Sequence, residues 1–219
     1  MKKIILLLIA VFPIIVFGQK EKDAEILLNN AANKALSYKT IDTKFEFTVE
    51  NIQEKSKEEY KGELWIKGSR FKIKMPHTIT FCDGKTRWVY LSESKEVNIS
   101  NINKSDDLDP EDRFLIDPIS IFTVYKKGFK YHIAGTQTIK GENYTVVSLA
   151  PEDISKPYFK IKIWISEEND YFSVKYFQKD GTRIILQFTD FIFNNKYKDS
   201  FFTFDTSKHP NVEVIDMRE

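Results

Sequence analysis

The sequence predicts a mainly β protein in which one amphipathic helix precedes a single large curved antiparallel sheet or barrel. Three observations predict it. Apolar residues follow helical spacing from Ala24 to Leu36, their period drops to two from Thr43 onward, and turn residues then separate about ten strands at short intervals. Links this short suit a meander rather than parallel strands joined by crossover helices.

Residues 1–19 read MKKIILLLIAVFPIIVFGQ. Lys2 and Lys3 precede an apolar run from Ile4 to Phe17, and Val16 and Gly18 are small, the pattern of a cleaved secretory signal. A membrane-spanning helix needs about 20 apolar residues, and Pro13 interrupts this shorter run. The expected division is therefore a signal peptide over 1–18 and one domain over 19–219, exported to the periplasm and soluble there. No Cys stands at the cleavage site to be acylated.

Asp23 is placed to cap the helix that carries Ala24, Leu27, Leu28, Ala31, Ala35 and Leu36. Phe45, Phe47 and Val49 then alternate with Lys44, Glu46 and Thr48. Further strands are expected at 62–68, 70–75, 86–92, 95–100, 129–135, 144–150, 158–166, 171–178 and 182–193. Asp83-Gly84, Lys140-Gly141, Glu168-Asn169-Asp170 and Asp180-Gly181 supply the turns. Alternation places Phe45, Phe47, Phe71, Ile73, Phe159, Ile161 and Ile163 on the concave side, with Lys160, Lys162 and Trp164 on the wet one.

The β rhythm breaks once. Beyond an acidic, turn-like stretch over 104–112, Asp117-Pro118 can start a helix that Lys126, Lys127 and Gly128 would finish. The β-branched Ile119, Ile121, Thr123 and Val124 would fit a strand as well. A short apolar helix inserted here has the concave face of the sheet to pack on.

Composition excludes several functions. The chain of 219 residues has 33 Lys and Arg against 32 Asp and Glu, and removing residues 1–18 leaves 31 against 32, so no global field attracts nucleic acid or an anionic membrane surface. One Cys cannot close an intramolecular disulfide, and one Cys with three His does not make a usual closed zinc site. The chain lacks G-x-S-x-G, H-E-x-x-H, P-loop and G-x-G-x-x-G motifs, so the expectation is a protein that is not an enzyme and needs no cofactor or metal. Cys82 reads as a small residue before a turn rather than a nucleophile, and His132 as an outward strand residue. The 18 phenylalanines fit either a sealed core or a cavity for an apolar ligand.

Gly62-Glu63-Leu64-Trp65-Ile66-Lys67, then Asp83-Gly84-Lys85-Thr86 with Trp88 and Tyr90, and the close Phe202-Thr203-Phe204 with Pro210, Val212, Val214 and Asp216, resemble the motifs of the LolA family. These are periplasmic outer-membrane lipoprotein carriers. The resemblance, which extends over essentially the whole chain after the signal, implies an incomplete antiparallel barrel of about eleven strands closed by lid helices. It implies lipoprotein acyl chains as ligands, a LolCDE-type inner-membrane transporter as donor, and an outer-membrane acceptor such as LolB. The expected acyl-chain residues are Phe45, Phe47, Leu64, Phe71 and Ile73 with Phe159, Ile161 and Ile163; those of the lid are Ile119, Phe122 and Tyr125. A monomer is expected. Members with this fold also act as periplasmic lipid sensors, the alternative reading. Gly68 stands where the family commonly has an arginine that holds the lid, and Arg70 is not assigned that role.

Overall fold

A computed structural model of the chain describes residues 15–102 and 110–218. The expected signal over 1–18 and the acidic stretch over 104–112 lie largely outside them. Helix α1 (Ile15–Ser37) begins well before Asp23, which therefore lies inside the helix instead of capping it. Ala24, Leu28, Ala31 and Ala32 form its buried stripe, and the small size of the three alanines lets the helix approach the sheet closely. Leu36 projects to solvent, one turn beyond the end of that stripe. None of the described helices is long and apolar enough to cross a membrane.

The N-terminal strands are β1 (Ile41–Asn51), β2 (Ser56–Lys67), β3 (Arg70–Lys74), β4 (Thr78–Cys82), β5 (Thr86–Leu91) and β6 (Glu96–Asn101). They form one antiparallel meander. After helix α2 (Pro110–Ile116) and two short 3-10 helices, Pro118–Phe122 and Val124–Lys126, a second meander follows. It contains β7 (Phe129–Ile139), β8 (Glu142–Pro151), β9 (Tyr158–Ser166), β10 (Tyr171–Gln178) and β11 (Thr182–Phe193). Near the C-terminus, β12 (Glu213–Asp216) adds in parallel to β6.

All twelve strands belong to one sheet in the order β12-β6-β5-β4-β3-β2-β1-β11-β10-β9-β8-β7. The sheet is not closed into a barrel, and β12 and β7 are its edges. The expected ten strands are present; β4 and β12 are additional. The two meanders join where β1 pairs with β11, Phe45 opposite Phe188 and Phe47 opposite Leu186. Since β6 ends the first meander and β7 begins the second at the far edge, their connection must cross the whole sheet. That crossing carries α2 and the 3-10 helices, the topological reason for a lid.

The helix expected over 117–128 is thus two 3-10 helices. Pro118 occupies the first position as expected, but Asp117 makes no side-chain cap. β-Branched side chains crowd an α-helix, and the hydroxyls of Ser120 and Thr123 donate to the carbonyls three residues back, at 2.7 and 3.3 Å. Both effects favour the tighter winding. Gly128 ends the segment with φ of 74°.

Two cores result. The main one lies between the inner face of the sheet, α1 and the lid. A smaller one on the outer face buries Phe81, Val97 and Ile99 under Phe204. The segment from Asp199 to His209 therefore straps the outer face of the N-terminal meander, with Phe201 edge-on to Trp65 and His209 stacked on Phe204.

Candidate functional site: an apolar face beneath a lid

Phe45, Leu64, Phe71, Ile73, Ile161 and Ile163 are all buried in the main core, and Phe47 packs against it half-buried. Alternation thus brings seven of the eight expected acyl-chain residues to one face. Phe159 is the correction. The pairing of β9 with β10 slips between Phe177 and Gln178, so that Lys160 faces Phe177 while Tyr158 faces Gln178. This bulge leaves Phe159 unopposed and turns it outward, 44% exposed, while Tyr158 takes the inner position.

One glycine shapes this face. A Cβ on Gly62 would overlap the Phe45 ring at Cζ and stand 2.8 Å from the Lys74 carbonyl oxygen. The Phe45 ring lies across the β2 backbone in the space that only glycine leaves, and its edge meets Phe114 of α2 at 5.3 Å between centroids.

The lid contributes Phe114, Ile121, Phe122 and Tyr125, all buried, and Ile119, partly buried against the core. Of the three expected lid residues Phe122 and Tyr125 are therefore central and Ile119 marginal. Phe122 packs edge-on against Tyr171 at 5.0 Å and near Phe188 at 6.4 Å. Two hydrogen bonds fasten the segment: Tyr125 Oη donates to Asn29 Oδ1 of α1 at 2.7 Å, and Tyr171 Oη donates to the Phe122 carbonyl oxygen at 3.0 Å. Burial pushes the Tyr171, Tyr176 and Tyr125 phenols above the ordinary tyrosine range, which extends the pH over which this face stays free of phenolate charge. Phe114, Asn29 and Tyr171 were not anticipated. Phe114 follows a charged stretch, while the partnership of Tyr171 with residue 122 joins segments 49 residues apart and leaves no local signature.

The lid's own side chains fill the space against the inner face, so the cavity expected for a ligand is filled by protein. Open clefts lie at its margins instead. One of about 540 Å³ runs between the lid and the β8–β9 loop, lined in part by Arg113, Val124, Phe129, Tyr158 and Tyr176. Another of about 610 Å³ lies at the opposite ends of the strands, among Tyr144, Tyr171, Phe172, Phe188 and Phe191 with Glu142 and Glu168 nearby.

The family's arginine position has a different use here. Gly68 adopts φ of 58° in the β2–β3 turn, and Arg70 reaches Asp199 at 3.5 Å while Lys67 donates to the same carboxylate at 2.9 Å. Both cations hold the C-terminal strap rather than the lid. Cys82 is fully buried in the β4–β5 turn, where its Sγ accepts from the Gly84 N–H at 3.3 Å. Asp83 Oδ1 accepts from the backbone N–H groups of Lys85 and Thr86, both at 2.8 Å, and Gly84 takes φ of 97°. The Asp83-Gly84-Lys85-Thr86 motif is accordingly turn chemistry. His132 is exposed, as expected for an outward strand residue. Among the described residues no three His, Cys, Asp or Glu side chains gather as metal ligands.

A comparison with curated protein sequences gives no match. Among solved structures, an uncharacterized conserved protein from Thermus thermophilus is similar at a TM-score of 0.54 and 12% identity, with 89% of this chain and 99% of that one covered. The lipoprotein LppX from Mycobacterium tuberculosis gives 0.50 and 10%, covering 81% and 98%. A LolA superfamily protein from Nitrosomonas europaea gives 0.44 and 13%, covering 84% and 98%. The sequence profile described as outer membrane lipoprotein carrier protein LolA matches residues 14–158, about two thirds of the chain. With that match over α1, the first meander, the lid, β7 and β8, the chain belongs to the LolA family of outer membrane lipoprotein carrier proteins.

Proposed function

We propose that the protein is a periplasmic carrier that takes the acyl chains of lipoproteins between its lid and inner face and moves them from the inner to the outer membrane. One observation supports this most. The lid meets the sheet largely through aromatic and aliphatic surfaces, Phe122 on Tyr171 and Phe188, Phe114 on Phe45. Such contacts are non-directional, so a hydrocarbon chain can replace them.

The energies match in scale. Burying one Phe or Ile side chain is worth about 1.5–3 kcal/mol, so Phe114, Ile121, Phe122 and Tyr125 together supply on the order of 10 kcal/mol. An acyl chain of about a dozen methylenes supplies roughly the same. Exchange of lid for ligand is therefore near balance, as a carrier that must both load and unload requires. The protein makes and breaks no covalent bond in this reading. Its donor would be a LolCDE-type transporter and its acceptor a LolB-like protein or the outer membrane itself. Purified protein incubated with inner-membrane vesicles holding a lipidated client should release that client into solution. A client lacking its acyl chains should gain nothing from the protein, and equal release of both would reject the reading.

A further inference from the structure

Strands β8, β9 and β10 end in unlike turns. At one end, the stretches 140–143 and 167–170 hold Lys140 against Glu142, Glu167, Glu168 and Asp170, the last paired with Lys34 of α1 at 2.8 Å. At the other, the stretches 126–128, 152–160 and 175–183 hold seven basic residues against three acidic ones, in a chain whose residues after 18 are near neutral. Glu50, opposite Arg183 across β1 and β11, offsets one more of those cations. The turns of these three strands, though not the sheet as a whole, are thus polarised.

Apolar side chains also reach solvent at the basic end, as Ile192, Val214 and Met217 do elsewhere. Ile154, at the β8–β9 loop, is 85% exposed, and Ile52 of the β1–β2 turn is 56% exposed. The Ile52 N–H donates to the Gly181 carbonyl at 3.3 Å, so the two neighbouring turns are joined. Lys179 ties in the third: its Nζ donates to the Ile154 carbonyl at 2.5 Å and its N–H to the Pro157 carbonyl at 2.9 Å. Beside them the outward Phe159 lies 6.3 Å from Phe177, with Lys160 Nζ 4.4 Å and Arg183 Cζ 5.0 Å from the Phe177 centroid. The strap of residues 199–209 covers only the other half of the outer face, over β2 to β6.

We infer that this end docks on an anionic lipid bilayer. A branched aliphatic on a loop tip, aromatic rings at the level of the sheet end, and long cationic side chains around them are the parts that a bilayer interface accommodates together: the Ile enters the acyl boundary, the rings sit among head groups, and Lys and Arg reach the phosphates. The orientation follows from the same geometry. The Glu152 N–H donates to the Gly128 carbonyl at 2.8 Å, joining the docking loop to the end of the lid, and Lys156 and Tyr158 wall the cleft of about 540 Å³ that opens there. Docking by this end sets the lid margin against the lipid and points the acidic end away.

The use of this dock for loading rests on the carrier reading; the binding itself does not. The test is co-sedimentation of the exported protein with vesicles of phosphatidylglycerol and phosphatidylethanolamine, and with vesicles of phosphatidylcholine alone. Soluble triacylated lipopeptide uptake is measured in parallel. Binding to the anionic vesicles should exceed that to phosphatidylcholine and fall with added salt. Ile154→Glu should weaken it about tenfold, and Lys160→Glu with Lys179→Glu at least about fivefold. Both variants should keep lipopeptide uptake, since these side chains lie outside the lid. Equal binding to the two vesicle types, no binding, or binding untouched by both variants would overturn the dock. Lipopeptide uptake without vesicle binding leaves the carrier reading standing, whereas vesicle binding that needs Ile154 without any lipopeptide uptake supports the dock and rejects the carrier.

Discussion

The Tyr171 hydroxyl donates to the main-chain carbonyl of Phe122 at 3.0 Å, so β10 holds the lid by an atom that substitution of the Phe122 side chain does not remove. Tyr171→Phe keeps the ring against Phe122 and removes only the donor. It leaves a buried carbonyl unsatisfied at a cost of about 1–3 kcal/mol. The expected outcome is faster hydrogen exchange over residues 118–126, with exchange in β9 unchanged. A lid as protected as in wild type would show that this bond does not fasten it.

Tyr125→Phe releases the other fastening, to Asn29 of α1. Tyr125 sits beside Tyr131 at 6.2 Å and retains that contact, so the loss should be smaller, about 0.5–1.5 kcal/mol. Combined with Tyr171→Phe it should open the lid further and raise the rate of lipopeptide uptake above either single variant. Uptake no faster in the double variant than in wild type would mean that lid opening does not limit loading.

Phe122→Glu and Ile119→Glu separate lid from fold. A carboxylate at 122 would stand unpartnered between Tyr171 and Phe188, costing several kcal/mol or forcing the segment away. Ile119 is only half-buried, so its variant should be milder. Circular dichroism should show the sheet intact in both while client transfer falls, more for residue 122. Wild-type transfer by both folded variants would dismiss this segment as the lid.

Gly62→Ala tests the inner face itself. The added methyl meets Phe45 and the β3 backbone, and the ring must move off Phe114. Overpacking of this kind costs about 1–3 kcal/mol, readable as a lower denaturant midpoint at unchanged slope. Gly68→Ala is the control: it has φ of 58° but open space at the same atom, so its cost should be that of backbone conformation alone, about 1 kcal/mol.

Alkaline pH should loosen the protein. Burial raises the Tyr171 and Tyr176 phenols, and burial with the Asp42 carboxylate pushes Tyr197 up to about 12. Groups raised in the folded state contribute stability that is complete below the unfolded value near pH 10. It is lost as the pH climbs toward the folded value, at about 1.4 kcal/mol per pH unit for a phenol that stays protonated when folded. Denaturation curves above pH 10 should show one such contribution for each raised phenol, with one fewer in Tyr171→Phe. An equal slope in that variant would assign the titration elsewhere.

Alternation made most of the sheet readable, because β1, β3, β9 and β11 each have one dry and one wet face. β4 was hidden by its five-residue length and by consecutive burial of Thr80, Phe81 and Cys82, which erases the period. β12 was hidden for the opposite reason: all four residues are exposed, and only its parallel pairing with β6 makes it a strand. Phe159 obeyed the pattern in sequence and left it in space, since a bulge is a property of the pair of strands. The lid segment was legible as a break in the β rhythm. Its winding was not, because hydroxyl bonds from Ser120 and Thr123 decide between helix types.

The most direct measurement is hydrogen exchange of the purified protein with and without a bound triacylated lipopeptide. If acyl chains replace the lid on the inner face, exchange should rise over residues 114–126 and fall in β9 and β10, where Ile161, Ile163 and Val174 would lie under the ligand. Binding that leaves both regions unchanged would place the ligand elsewhere and contradict the account.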